Sequence, residues 1–400
     1  MTDIRDTVVP TRARVAVSAA YAAQGLGYAV IVTTLPSFKA QQQIDDTAIA
    51  LIILLVCAAA AIGSVVADLI AKRAGSRMSL VVGLALEVVG VAIVWMDLPL
   101  WAFVAGFAIY GIGLGGVDAA GAMQGVLVQR RYGRDLMGGF FAAYTAAAIL
   151  GALAVAGSAA IGAAPSAQLA LVIVVASGVA VWGLFAFDRT HAAAAPGAPS
   201  TTPLPRRGIW LFGFVILAAF TLDSGVSTWS TVYLQDDLAA VAAIAPLGYA
   251  AYQVAILLTR LATDRVVDRW GPRPVVLCAT LVSIAGLVFV AALPFTAAAI
   301  VGFALAGVAV GALVPISFTS AGSLAPLRSD EIIARVNLFN YVGAVLGAVV
   351  IGLLADGPGL GLGFLVPALL LVPVLFVARR FRAATRTDDP ATADAASTDR

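Results

Sequence analysis

Apolar stretches long enough to cross a bilayer recur twelve times along this 400-residue chain, and the Lys and Arg residues gather in alternate gaps between them. A hydrocarbon core about 30 Å thick is crossed by roughly 20 residues of helix. Inside it no water is available for backbone N–H and C=O groups, so a spanning segment is either a helix or a strand of a closed barrel. The ten-residue alternation of a barrel strand does not appear. The twelve stretches therefore read as helical spans, over 14–36, 47–70, 79–96, 99–127, 136–161, 167–187, 208–234, 241–263, 273–293, 296–318, 332–355 and 361–378.

Composition agrees. With 61% hydrophobic and 12% charged residues, and a mean hydropathy of +0.99, the chain lacks the polar surface to cover a water-soluble globule. Its solvent is the lipid bilayer. The net charge of +2 arises from bases beside apolar spans, which anchor orientation and carry no implication of nucleic acid. Cys57 and Cys278 lie in separate spans and support neither a disulfide framework nor a metal site; no cofactor is expected. The first apolar stretch is too long for a signal peptide core and reads as a retained helix.

Of the 24 Lys and Arg residues, all but Lys39 fall on one face when assigned to loops. Arg5, Arg12 and Arg14 precede span 1, Lys72, Arg73 and Arg77 follow span 2, Arg130, Arg131 and Arg134 follow span 4, and Arg379, Arg380 and Arg382 follow span 12. The positive-inside rule then puts both termini in the cytoplasm of a cell whose cytoplasmic membrane holds the protein. The opposite loops carry Asp45, Asp46, Asp97, Asp236, Asp237 and Asp356.

Residues 188–207 contain Pro196, Pro199, Pro203 and Pro205 among Ala, Ser and Thr, and read as a cytoplasmic linker between six-helix halves at 1–187 and 208–382. Residues 383–400 read as a disordered tail. A repeat supports the division. Lys72-Arg73-Ala74-Gly75-Ser76-Arg77 after span 2 matches Asp268-Arg269-Trp270-Gly271-Pro272-Arg273 after span 8, with Asp68 and Asp264 each four residues upstream. Duplicated transporter halves leave such pairs of loops.

The loop at Asp268–Arg273 resembles the cytoplasmic signature of the major facilitator superfamily, and the whole chain fits that layout. The resemblance implies an all-α membrane protein of two pseudo-symmetric halves around a central site, working as a monomer. Within the superfamily, Asp223-Ser-Gly-Val-Ser-Thr-Trp229-Ser230-Thr-Val-Tyr233-Leu234, Gly115-Gly116-Val117-Asp118 and Gly133-Arg134-Asp135-Leu136-Met137 are similar to the fucose-permease-like branch. Ala122, Gln129, Phe141 and Thr145 depart from that branch, which tends to have Asn, Glu, His and Ser there. The transport framework carries over more readily than sugar specificity.

A carboxylate inside a span costs roughly 2.5–3.5 kcal/mol on insertion scales and asks for a reason. Three stand mid-span: Glu87, Asp118 and Asp223. Asp223 shares a helical face with Ser227 and Ser230, a polar stripe suited to proton carriage or solute binding. Asp118 has Gly111, Gly115, Gly121 and Ala122 around it, which suits close approach of a ligand or of another helix. Glu87, between Gly83 and Gly90, reads as either an interhelical bond or a coupling acid. The one histidine, His191, falls in the linker, so proton coupling would rest on carboxylates.

Trp229, Tyr249, Tyr252, Gln253, Asn337, Asn340 and Tyr341 join the two serines as candidate solute contacts, alternatively as interfacial anchors and interhelical glue. Arg73, Arg77, Arg269 and Arg273 can bond helix-terminal carbonyls, and Asp68, Asp264 and Asp268 can pair with bases, contacts that would gate a rocking motion or simply set topology. No HExxH, GxSxG or GxxxxGK pattern supports an enzyme or an ATP-driven pump. Three functions remain open: a proton-coupled importer of a small polar, sugar-like solute, an exporter of drugs or metabolites, and a non-transporting receptor.

Overall fold

The computed structural model describes residues 4–96, 98–132, 136–163, 166–189, 204–325, 329–355 and 359–381. Most of the expected linker, with His191, and the expected tail 383–400 lie outside the described residues. What is described is all-helical. Ten helices are long and apolar enough to cross a membrane. One of them, Asp46–Trp95, is 50 residues long and supplies spans 2 and 3. Span 8, Pro246–Trp270, also crosses, although Arg260 and its charged last turns dilute its apolarity. The count of twelve follows.

Spans 1 and 4–6 are Ile4–Thr33, Leu100–Tyr132, Met137–Ala160 and Ser166–Ala186. Spans 7, 9 and 10 are Arg206–Val232, Pro272–Ala292 and Thr296–Gly322. Span 11 runs Ser329–Val345, then through a π-helical turn, Leu346–Val350, into Ile351–Ala355. Span 12 is Leu360–Gly363 followed by Leu365–Val377. A short helix, Leu35–Gln42, caps span 1 at the face bearing the acidic loops, and span 7 ends there in a π-turn, Tyr233–Asp237.

Span 8 corrects the expected 241–263 by starting and ending later. Pro246 opens it, and it continues through charged residues to Trp270 because these emerge from the apolar zone without breaking the helix. The expected loops after spans 2 and 8 shrink to one residue each. Gly75 adopts φ 86°, ψ 155° and Gly271 φ 80°, ψ 163°, so the repeated sequence makes the same backbone corner twice. That conformation is essentially restricted to glycine.

The halves also repeat their helix crossings. A Cβ on Gly25 (span 1) would stand 2.2 Å from the Tyr144 carbonyl oxygen (span 5), and one on Gly347 (span 11) 2.2 Å from that of Thr221 (span 7). Gly115 would meet the Ala60 oxygen at 1.8 Å between spans 4 and 2, and Gly307 the Tyr252 oxygen at 2.5 Å between spans 10 and 8. Gly90 of span 3, against span 4, and Gly286 of span 9, against span 10, complete the set. Lipid gives no hydrophobic push between helices, so backbones brought together by glycine supply the attraction. The halves face each other through spans 1 and 7, 2 and 11, and 5 and 8.

Gly271→Ala tests the corner without a steric contribution, since a Cβ there meets nothing within 4 Å. The expected loss is about 1–3 kcal/mol of backbone strain, read as a lower melting temperature in detergent. Gly157→Ala, equally open but helical, should be neutral or gain about 0.4–1 kcal/mol.

Candidate functional site

Between the halves, the mid-span polar residues converge. Asp118 on span 4 keeps open surface despite its depth, and accepts a hydrogen bond from Gln24 Nε2 on span 1 at 2.8 Å. Gln24 also donates to the Leu114 carbonyl at 3.3 Å, which fixes the amide. Across the seam, Asp223 Oδ1 accepts from the Tyr252 hydroxyl at 2.7 Å, linking spans 7 and 8. Tyr28 on span 1 is a hydrogen-bond partner of Ser227 on span 7, and lies within electrostatic reach of both Asp118 and Asp223. Tyr144 on span 5 stands in the same relation to both acids and to Tyr249. Two carboxylates from opposite halves thus lie within electrostatic reach of the same two tyrosines.

Arg260 completes the centre and escaped the reading of the sequence, which counted it with the loop bases. It lies ten residues inside the end of span 8 and donates from a guanidinium nitrogen to Thr145 Oγ1 on span 5 at 3.2 Å. Its guanidinium carbon is 6.0 Å from the Phe141 ring centroid, and its charge reaches Asp223. Phe141 is 46% exposed and packs edge-on against Tyr21, so an apolar ring borders the charged groups. A mid-helix Arg in an otherwise apolar window was the available signal. Gln24, Tyr21, Tyr28 and Tyr144 were missed because a single amide or phenol in a span is common and uninformative.

Other expected contacts are placed differently. Tyr249 and Gln253 join the centre, the amide donating to the phenol at 2.6 Å. Trp229 is wholly buried and gives its indole N–H to the Ala348 carbonyl at 2.7 Å, a bond between spans 7 and 11. Ser230 is buried beside it. Asn337 and Asn340 are half-buried on span 11, and Tyr341 is 41% exposed. Glu87 is buried against Gly113 of span 4, where its Oε1 has no hydrogen-bond partner among the described residues.

Of the expected gating residues, Arg77 donates to the Leu184 carbonyl at 2.9 Å and staples span 3 to span 6 within one half. Lys72 pairs with Asp68 one turn away. Arg73, Asp268, Arg269 and Arg273 are exposed at the basic face, and the side chain of Asp264 lies outside the described residues. A buried network reinforces the first half nearby: Arg131 bonds Asp188 at 2.9 Å, and Gln124 exchanges hydrogen bonds with the Asp188 backbone and donates to Ser76.

The ion pair that joins the halves is at the other face. Lys39, on the cap of span 1, bonds Asp236 at the end of span 7 at 2.6 Å and also pairs with Asp46 at the start of span 2. Burial acts to lower the Lys39 pKa, but the bonds and charges of Asp236 and Asp46 outweigh it and hold the ammonium above its ordinary value. Gly352 of span 11 packs against Trp229 and Ala50 of span 2 just inside, so this face is shut.

Two matched helical halves, joined at one face around a polar centre, define the fold of a membrane transporter. The chain belongs to the Major Facilitator Superfamily, whose family model matches residues 17–247 and 212–399. An uncharacterised transporter of this superfamily from Yersinia pestis is 28% identical over 372 residues, 90% of this chain and 93% of that one. Among solved structures, the nucleoside transporter NupG superposes with a TM-score of 0.70 at 14% identity, over 92% of this chain and 98% of that one. The Escherichia coli fucose:proton symporter FucP superposes with a TM-score of 0.60 at 15% identity, over 93% and 98%. At these identities the structural likeness is one of fold.

Lys39→Gln removes the cross-half pair. In a Cys278→Ser background, Cys57 on span 2, near Tyr28, reports opening. Its labelling by a membrane-impermeant maleimide from the acidic face should quicken about three- to tenfold, as expected for a loss near 1 kcal/mol. An unchanged rate would mean that apolar packing alone holds this face shut.

Proposed function

We propose that this chain is a proton-coupled secondary transporter of the cytoplasmic membrane that moves a small, hydroxyl-rich, sugar-like solute by alternating access. Both termini are cytoplasmic in this reading, because the Arg-rich loops flank them and the opposite loops carry Asp. The conformation is then closed to the outside, with Lys39, Asp46 and Asp236 as the outer lock. The protein works as a monomer with no partner beyond the substrate, protons and the lipid bilayer.

The observation that carries the reading is the pair of carboxylates, Asp118 and Asp223, on opposite halves and within electrostatic reach of the same tyrosines, Tyr28 and Tyr144. An acid in that position responds to protonation by changing what it binds, and the change is felt by both halves. Tyr252 holds Asp223 in place, and a protonated Asp223 could become a donor to solute or to a facing carbonyl. Phenol and amide groups around it suit a polyhydroxylated solute, with Phe141 offering a face for its C–H side.

An exporter of amphipathic molecules is the second reading, favoured by one feature. Phe141 leaves an exposed aromatic ring at the centre where a histidine would have extended the polar lining.

A melting-temperature screen of the purified protein against hexoses, pentoses, sugar alcohols, nucleosides and amphiphilic drugs separates the two readings. The best stabiliser then serves as transport substrate in proteoliposomes. A pH gradient, acidic on the side of entry, should drive its accumulation by the wild type. Asp223→Asn should reduce that accumulation at least about tenfold, a coupling free energy near 1.4 kcal/mol, while solute exchange at equal pH persists. Intact gradient-driven accumulation in the variant would remove Asp223 from the coupling role.

A further inference from the structure

We propose that Arg260 receives a carboxylate of the transported solute, so that the substrate is a small hydroxylated organic acid of the sugar-acid kind. This inference rests on the central site assigned above and narrows its substrate class.

A guanidinium presents five N–H donors in a rigid fork matched to the two oxygens of a carboxylate. Arg260 spends one of them, on the Thr145 hydroxyl, a neutral partner. Asp223 is near enough for its charge to be felt, yet the two form no ion pair. The Asp223 oxygen goes to the Tyr252 hydroxyl instead. A cation placed only to neutralise Asp223 would close on it, since a charged pair in a poorly hydrated site gains most from direct contact. Here the acid and the base are held apart by separate protein hydrogen bonds.

The setting favours an anion of one charge over a phosphate. Asp223 lies within electrostatic reach of Arg260, and a dianion seated there would meet its charge. A monocarboxylate meets one guanidinium and leaves its hydroxyls for the half-buried Tyr28 and Tyr144. Arg260 also lies on the seam, on span 8 with its bond to span 5. A ligand seated there touches both halves, as a transported solute must. Sugar acids and amino acids share the carboxylate, and the tyrosine- and amide-rich surroundings favour the former.

The test is ligand-induced stabilisation of the purified full chain by glucuronate, gluconate, glutamate, glucose and inorganic phosphate. Glucuronate or gluconate should raise the melting temperature at concentrations at least about tenfold below those needed for glucose. Arg260→Gln should lose that preference about tenfold or more, and Arg260→Lys, which keeps the charge without the fork, should fall between. Glutamate as the sole stabiliser would overturn the sugar-acid assignment. Equal shifts with glucose, a preference for phosphate, or no shift with any carboxylate at tens of millimolar would overturn the proposal itself.

Should Arg260→Gln fail to fold, phenylglyoxal modification of the wild type supplies the answer, with Arg260 followed by mass spectrometry. Glucuronate should slow that modification and glucose should not; equal rates would sink the inference. Neither readout needs a proton gradient, so failure of Asp223 as the coupling acid would leave this result standing. Accumulation of a neutral sugar with intact coupling would remove Arg260's role alone.

Discussion

The backbone of this chain has no water to bond with over most of its length, and the rest of the structure follows from that constraint. Helices satisfy the backbone internally, but once formed they present lipid-like side chains that have no reason to prefer one another to lipid. Association then depends on how closely backbones approach. Gly25, Gly90 and Gly115 in the first half, and Gly286, Gly307 and Gly347 in the second, sit where a methyl group would strike the facing helix. They fix each half as a rigid body, which a rocking mechanism requires.

The same scarcity of water makes every polar group inside the bilayer costly, so most are paired with a protein group, and a few, among them Glu87 Oε1 and the Ser230 hydroxyl, are buried without a partner among the described residues. Arg131, Asp188, Gln124 and Ser76 close a network among themselves near the basic face and stiffen one half. Ser224 and Trp229 spend their donors on carbonyls of span 11. Asp118, Asp223 and Arg260 keep free bonding capacity beside the half-buried Tyr28 and Tyr144, between the halves.

Much of this was legible in the chain. Span count, the two halves and the repeated corner at Gly75 and Gly271 followed from hydropathy and from one six-residue motif. Depth was legible for Asp223 and Asp118, because a lone acid in an apolar window has few structural explanations. Arg260 was hidden by the expected end of span 8 near residue 263, which made it look like one more anchoring base. A helix boundary misplaced by seven residues moves a side chain about 10 Å along the axis, enough to carry it from the surface to the site. Trp229 illustrates the opposite failure: sequence shows a ring with a polar handle, but not that the Ala348 carbonyl has already taken it. Which partner an indole finds is decided by span 11, more than a hundred residues away.

The two faces of the molecule illustrate how unequal bonding can arise from near-equal halves. The repeated loop makes the same glycine corner in both, yet the first copy carries Lys72, paired with Asp68 in its own helix, where the second carries Asp268. The inter-half ion pair came instead from a segment with no repeat, the short helix Leu35–Gln42, which brings Lys39 to Asp236 and Asp46. A lock of one ammonium and two carboxylates, partly buried at the rim of the membrane, is worth of order 1 kcal/mol, about twice thermal energy. That weakness suits a carrier. A switch between two faces has to be reversible within the binding energy of a small solute, and a deeply buried pair would cost several kcal/mol to break each cycle.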